Sequence, residues 1–287
     1  MLNKIYEKIK KFILENYKFM IILIVLVFTF TYEFPYVVYT PGGIVNLEKR
    51  IEVEDKVEKK GSLNMSYVTL RKGNIPSILL SFVIPDWDLL KESEVTIDDE
   101  SVDDLLKMEK LYMASSIDNA TILAYKKANK EINITNNVNN VIYIDDLAKT
   151  DVQVYDQIIS VDKNNISDIN DLKEYISTKN ENDIVYFKVK NNGKEKTRKA
   201  QVIKINNELK VGIAFLTTYE YETIPEIKIK TKASESGSSG GLMLSLAIYN
   251  SLIDKDITKG KKVVGTGTID INGNVGKIDG VKYKILG

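Results

Sequence analysis

The residues able to do chemistry gather in the last fifth of the chain. Ser236-Gly237-Ser238-Ser239-Gly240-Gly241 precedes an apolar helical pattern, Gly265-Thr266-Gly267-Thr268-Ile269 follows it, and Ile278-Asp279-Gly280-Val281-Lys282-Tyr283-Lys284 comes last. The chain contains no histidine and no cysteine. Ser-His-Asp and Cys-His arrangements are therefore excluded, while a serine whose proton is taken by a lysine remains open. A lysine is a base only as the neutral amine, and burial, which penalises the ammonium, is one way to produce it. The serine-rich stretch empties into a helix start, where backbone N–H groups without intrahelical partners attract developing negative charge. A Gly/Ser run also serves as a flexible linker. Against the linker, this run lies between an apolar strand and an apolar helix with no change of domain in view.

The elements that would position these residues can be read from periodicity. Strands are expected at 211–214 and 227–230, and a helix over LMLSLAIYNSLI with Leu242, Leu246, Tyr249 and Ile253 along one side. Upstream, residues 44–90 read as short strands, including Ile51-Glu52-Val53, Tyr67-Val68-Thr69-Leu70 and the apolar stretch 78–84 between Pro76 and Pro85. Residues 101–128 switch to helical spacing, with Ser101 as a cap and the run Asp98-Asp99-Glu100 as a solvated helix start. The polar, Asn-rich residues 129–140 read as a loop or domain joint. A mixed unit follows: strands at 141–144 and 154–162, a turn at Asp162-Lys163-Asn164-Asn165, a helix at 169–177 capped by Asp168, and a hairpin through Asn192-Gly193 joining strands at 184–190 and 197–203.

The N-terminus carries an uncharged apolar run, FMIILIVLVFTFTY at 19–32, apolar all round rather than on one stripe. Ile13, Leu14 and a snorkelling Lys18 lengthen it toward the ~20 residues a span needs, and Phe34, Tyr36 and Tyr39 read as interface aromatics. Lys4, Lys8, Lys10, Lys11 and Lys18 outnumber Glu7 and Glu15 ahead of it, so the N-terminus is expected in the cytoplasm and the rest outside the membrane. A cleaved signal peptide and a buried core helix are the rivals; no small-x-small cleavage site follows the run. Pro41-Gly42-Gly43 is expected to turn between membrane and domain. The remaining composition is restrictive. Across 287 residues Lys+Arg and Asp+Glu both number 40, so no basic excess points to nucleic acid, and without cysteine there is neither a disulfide framework nor a thiolate metal site. No GxxxxGK[ST] occurs; near Gly276-Lys277, Ile271 stands where the first glycine belongs and Ile278 where Ser/Thr belongs. No nucleotide, cofactor or metal is expected.

The segment VYDQIISVDKNNISDINDLKEYI followed by the hairpin containing Gly193 resembles a PDZ domain of the bacterial protease-associated form. It departs from that family at Tyr155-Asp156, where Gly-Asp is common. The resemblance implies that a peptide adds as a strand along a sheet edge with its terminal carboxylate held by backbone N–H groups. The carboxylate loop is expected near Asn137 to Asn140. A small α+β domain without a peptide groove is the alternative.

The three C-terminal motifs resemble, in order and spacing, the proteolytic domain of Lon-type serine–lysine peptidases. Gly237-Ser238-Ser239-Gly240-Gly241 matches the turn that carries the nucleophile, which makes it Ser239. Thr266-Gly267-Thr268-Ile269 matches the family's strand end. In Ile278-Asp279-Gly280-Val281-Lys282-Tyr283-Lys284 the matching lysine is Lys284. The resemblance implies a Ser239–Lys284 dyad, Thr266 orienting the lysine, and the backbone N–H groups of Ser238 and Ser239 as the oxyanion site. Apolar Ile278, Val281 and Ile285 would keep Lys284 dry. Ser238 replaces the family's proline and Asp279 a glycine, which sets a carboxylate near the lysine. With the anchor and the PDZ-like unit, the whole chain is similar to the membrane-anchored, PDZ-containing Lon-like peptidases of Gram-positive bacteria.

The expected architecture is an α+β multidomain protein. It comprises a cytoplasmic stub and transmembrane anchor (1–35), an extracytoplasmic mixed α/β strand and helix region (36–130), a PDZ-like peptide-binding domain (131–205) and a Lon-type proteolytic domain (206–287). The last is expected to be C-terminally incomplete, because the family domain continues beyond the position of Gly287. The expected function is ATP-independent cleavage of peptides or exposed protein segments outside the membrane. The alternative is a membrane-tethered PDZ adaptor with an inactive protease-like domain. Partners would be a peptide or unfolded protein, with its C-terminus on the PDZ-like domain, and the membrane; nucleic acid is not expected, and Lon-type domains often form oligomers.

Overall fold

The computed structural model describes residues 2–54, 58–96 and 101–287. The acidic run at 98–100 lies outside the described residues. The chain divides into two compact units. One comprises the chain up to Gly43 with Tyr67–Leu105 and Gly280–Gly287; the other comprises Ile44–Ser66 and Leu106–Asp279.

The smaller unit begins with α1 (Leu2–Thr31), whose stretch Ile5–Thr31 has a mean hydropathy of 2.0 and is the one helix among the described residues long and apolar enough to cross a membrane. Strand β1 (Phe34–Asn46) follows at once, and it corrects one expectation. Pro41-Gly42-Gly43 lies within the strand and makes no turn: a Cβ on Gly42 would come within 2.3 Å of the Tyr67 carbonyl oxygen, so the glycine serves close approach. Tyr39 stacks on Tyr283, with ring centroids 5.6 Å apart, and is part of the folded unit. After β2 (Ile51–Val53) and β3 (Ser62–Gly73) comes a further correction. The apolar stretch 78–84 expected as a strand falls in helix α2 (Ile75–Ser81) and the turn after it. Asn74 and Ser77 exchange the reciprocal bonds of a capping box and Pro76 occupies the first turn, local signals that outweigh the β-branched content. Strand β4 (Asp88–Lys91) then pairs antiparallel with β1 from Tyr36 to Tyr39.

Helix α3 (Val102–Lys127) matches the periodicity, and the Ser101 hydroxyl accepts from the Asp104 N–H at 3.2 Å. From Leu106 onward it belongs to the larger unit. There, the Asn-rich stretch expected as a loop is most of a fourteen-residue strand, β5 (Glu131–Ile144). Strand β6 (Gln157–Val161), helix α4 (Ile169–Ser177), β8 (Ile184–Asn191) and β9 (Lys194–Gln201) follow close to expectation, while β7 (Asn164–Asn165), expected as part of a turn, pairs with β6. Asp168 caps α4 by accepting from the N–H groups of Asn170 and Asp171 at 2.7 and 3.2 Å. Asn192 and Gly193 both have positive φ, the requirement of a two-residue hairpin turn.

A small hairpin, β10 (Ile203–Ile205) and β11 (Glu208–Lys210), leads to β12 (Ile213–Ile224), which pairs with β5 from end to end. The sheet order is β12-β5-β6-β8-β9, with β7 on β6. Its core contains Val141, Val161, Leu172, Ile176, Phe187 and Phe215. A second core forms around α5 (Gly241–Leu252), which packs with Leu47, Leu63, Tyr125 and Ile269. Helix α5 is buried nearly all round rather than on the side expected: Met243, Leu244, Ala247 and Ile248 are inside, while Leu242, Leu246 and Tyr249 are half-buried. Around it lie β13 (Ile227–Ile229), paired with β2, and β14 (Lys262–Gly265), parallel to β3 over Ser62–Met65. The hairpin β15 (Thr268–Ile269) and β16 (Val275–Gly276) follows. The smaller unit closes with α6 (Val281–Leu286).

Candidate functional site

The serine loop joins β13 to α5 and is held from both sides within the larger unit. At its entry, Arg50 donates to the Lys230 carbonyl at 3.2 Å and to Glu235 at 2.6 Å. Gly237 has φ +93°, a conformation that favours glycine, and its N–H donates to the Glu109 carbonyl of α3 at 2.9 Å. One residue on, the Ser116 hydroxyl of α3 donates to the Ser238 carbonyl at 3.0 Å. The Ser239 carbonyl accepts from the Thr266 hydroxyl at 3.0 Å and from the Gly267 N–H at 2.7 Å, and the Leu242 N–H returns a bond to the Gly267 carbonyl at 3.0 Å. So α3 grips the loop through Ser238, and the turn between β14 and β15 grips it through Ser239. A side chain has no room at Gly241, where a Cβ would stand 2.3 Å from the Ser116 hydroxyl oxygen.

With these carbonyls turned inward and bonded, the amides are left differently. Among the described residues, no acceptor receives the N–H groups of Ser238, Ser239 or Gly240, and the half-buried Ser239 hydroxyl makes no hydrogen bond. These amides precede the twelve-residue α5, whose N-terminal end adds the favourable end of the helix dipole. The arrangement can bind an oxygen that is gaining negative charge beside a hydroxyl nucleophile.

Ser238, Ser239 and Thr266 are thus brought together. The Thr266 hydroxyl is spent on the Ser239 carbonyl, and its oxygen keeps lone pairs for a further donor. Lys284 is carried by the smaller unit, on α6, where it is only 8% exposed. Tyr283 donates to Asp88 at 2.6 Å and Lys282 to the same carboxylate at 2.8 Å, which fastens α6 to β4. Lys282, then hydrogen bonding from Tyr283, holds the Asp88 carboxyl below its usual range, and burial first and Asp88 second push the Tyr283 phenol upward. Val281 and Ile285 are exposed, so the burial of Lys284 is not the apolar screen expected from them; Asp279 is exposed as well.

The peptide edge also differs from expectation. Asn137 to Asn140 form no loop: they lie inside β5, with β12 on one side and, at Asn139 and Asn140, β6 on the other. Their amides act as struts, Asn137 donating to the Ser167 carbonyl at 2.6 Å and the buried Asn139 to the Ile166 carbonyl at 2.7 Å. The edge strand is β12, and α4 packs beside it and β11. Beyond their ladder with β5, the backbone groups of residues 213–216 make no hydrogen bond among the described residues. Farther along, α3 occupies the edge: the Ser115 hydroxyl donates to the Thr217 carbonyl and the Tyr219 N–H to Asp118, each at 2.8 Å. Burial pushes the Asp118 pKa up to about 6, partly opposed by bonds from the Tyr219 N–H and the Tyr221 phenol. Sequence reasoning misses Ser115, Ser116 and Asp118, whose only signal is a run of small and acidic residues interrupting the apolar face of α3.

Residues 135–202 match the PDZ domain family. Over 29% of its length the chain is similar to the crystal structure of the PDZ domain of the SdrC-like protein from Listeria monocytogenes, with 19% identity, 92% of that domain covered and a TM-score of 0.27. A comparison with curated proteins finds no match. The chain contains a PDZ domain, which points to a protein-interaction role.

Proposed function

We propose that this chain is a membrane-anchored, ATP-independent serine endopeptidase that cleaves peptides or exposed protein segments, with Ser239 as nucleophile and Lys284 as base. The observation that carries the reading is the serine loop: its carbonyls are clamped by Ser116, Thr266 and Gly267, while three successive amides beside Ser239 point to no protein acceptor among the described residues. In this mechanism neutral Lys284 takes the Ser239 proton as the hydroxyl attacks the scissile carbonyl. The Ser238 and Ser239 amides hold the oxyanion, and the lysine returns the proton to the leaving amine. Water activated by the same lysine then hydrolyses the acyl-enzyme. The PDZ domain presents the substrate by adding it as a strand to the open edge at 213–216 of β12. Helix α1 is the anchor, and the lysine excess before it argues for an N-terminus in the cytoplasm and for the chain after α1 outside the membrane.

The test uses the full chain in detergent micelles and an unfolded protein substrate. Ser239→Ala and Lys284→Ala are each expected to lower the cleavage rate at least about a thousandfold without weakening peptide binding. A second reading, a membrane-tethered PDZ adaptor, draws on the PDZ domain being the matched family. Wild-type chain that binds C-terminal peptides and cleaves nothing would select it.

A further inference from the structure

Between Lys72 and Asp86 the chain carries no charged side chain: the intervening sequence is GNIPSILLSFVIP. Helix α2 and the turn after it occupy this stretch, and they are ordered by their own bonds. The Asn74–Ser77 capping box opens the helix, and the Val83 and Ile84 N–H groups both donate to the Leu80 carbonyl, at 3.0 and 2.8 Å. Yet the large apolar side chains face outward. Leu79 is 60% exposed, Leu80 43%, Phe82 74% and Val83 77%, and no residue of α2 is buried. A monomeric water-soluble surface seldom keeps such a cluster together without a partner.

The position of the cluster identifies the partner. Asn74, the cap of α2, donates through its side-chain amide to the Phe30 carbonyl at 3.0 Å, in the last turn of α1. The base of the segment is therefore tied to the end of the apolar helix, within one unit. Lys72, at the entry, is already paired with Glu33 and Asp103 at 2.9 Å, so its charge is met by protein groups. Trp87, a residue type suited to the boundary between water and lipid, closes the segment. We propose that α2 and its turn form a second membrane contact, with Leu79, Leu80, Phe82 and Val83 in the lipid interface beside the exit of α1. The occupant is the bilayer itself, at the level where headgroups meet acyl chains. A short helix with one apolar side and no charge fits that level, while α1 supplies the attachment. Two contacts, unlike one, prevent the smaller unit from swivelling about α1. The inference rests on α1 spanning the membrane.

Trp87 is the only tryptophan in the chain, so its emission reports on this segment alone. The full chain is reconstituted into vesicles of equal parts phosphatidylcholine and phosphatidylglycerol, with or without lipids brominated near the headgroup end of the acyl chains. The expected result is about a twofold loss of Trp87 emission with brominated lipid, together with protection from aqueous iodide. The Phe82→Ser/Val83→Ser variant, altered only at exposed positions, is expected to lose both effects while α1 keeps it in the vesicles. Equal iodide quenching with and without vesicles overturns the proposal. So does lipid quenching that persists in the variant, because α1 alone then accounts for it. Protection from iodide without lipid quenching overturns it in favour of a protein partner or a second copy. If the wild-type chain washes off the vesicles, the anchor reading fails and takes this inference with it; cleavage by the Ser239–Lys284 dyad is measured in detergent and is untouched by that result.

Discussion

Asp118 stands where α3 meets the edge strand β12, and burial raises its pKa to about 6 from an ordinary value of 3.8. A native pKa above the unfolded one means that the folded chain holds the proton more tightly. The stability contributed by this group is therefore present below about pH 4 and is lost as pH rises through about 6. At ~1.4 kcal/mol for each tenfold change in proton affinity, the difference corresponds to about 3 kcal/mol. Asp118→Asn keeps an oxygen to accept from the Tyr219 N–H and removes the charge. At pH 7.5 it should strengthen the local fold by up to about 3 kcal/mol, and below pH 4 it should change little. Hydrogen exchange of residues 215–224 in the full chain, corrected for intrinsic pH dependence, measures this where it acts. In the wild type, protection should fall between pH 4 and 7; in the variant it should stay level. If the variant keeps the wild-type pH profile, or exchanges faster at pH 7.5, the carboxylate is stabilised as the ion and burial does not govern its titration. Ser116 sits two residues before Asp118 and holds the Ser238 carbonyl, so a tighter junction at pH 7.5 should also slow exchange in the serine loop.

Two further substitutions test the packing of the site and of the PDZ domain. Gly241→Ala places a methyl 2.3 Å from the Ser116 oxygen and 3.3 Å from Ile269 Cγ2, which should cost about 1–3 kcal/mol in thermal unfolding and loosen the Ser238 clamp. Tyr155 has φ 69°, so Tyr155→Gly removes a left-handed strain of about 1–2 kcal/mol and should raise the melting temperature of the larger unit by a few degrees; no rise would mean that the contacts of the tyrosine ring offset the strain.

The strain at Tyr155 also shows what a sequence can convey. A departure from the Gly-Asp pattern is visible there, and the structure supplies its physical cost. Other local signals are equally legible. Asp168 before a helical pattern, Asn192-Gly193 between alternating strands and Ser101 before α3 each act within a few residues of themselves. Expectation and structure part where distant partners decide. Within residues 129–140 the alternation of Ile132 and Ile134 is short and is followed by asparagines, and residues 131–140 are a strand because β12 runs beside them and the Asn137 and Asn139 amides find carbonyls across the fold. Gly42-Gly43 has the composition of a turn, and Tyr67 makes it extended. At 78–84 the discrepancy is local: the Asn74-x-x-Ser77 cap that makes a helix of the stretch is present in the sequence, and the β-branched content obscures it.

The candidate site divides along the same line. Ser239, Ser238 and Thr266 stand out in the sequence because loop, helix start and strand end lie close together along the chain, and they meet in the structure. What holds them is not legible there, because it comes from a helix more than a hundred residues earlier. Two consecutive serines inside α3, both buried, look in sequence like poor helix formers used as filler. In the fold the first donates to Thr217 on the edge strand β12, and the second to Ser238 beside Ser239. Neighbouring residues on a helix point about 100° apart, so such a pair can brace two different elements at once while the helix backbone keeps their separation fixed. A displacement of β12 is therefore resisted by the same turn of α3 that sets the serine loop, which gives the β12 edge and the serine loop a common rigid support within the larger unit.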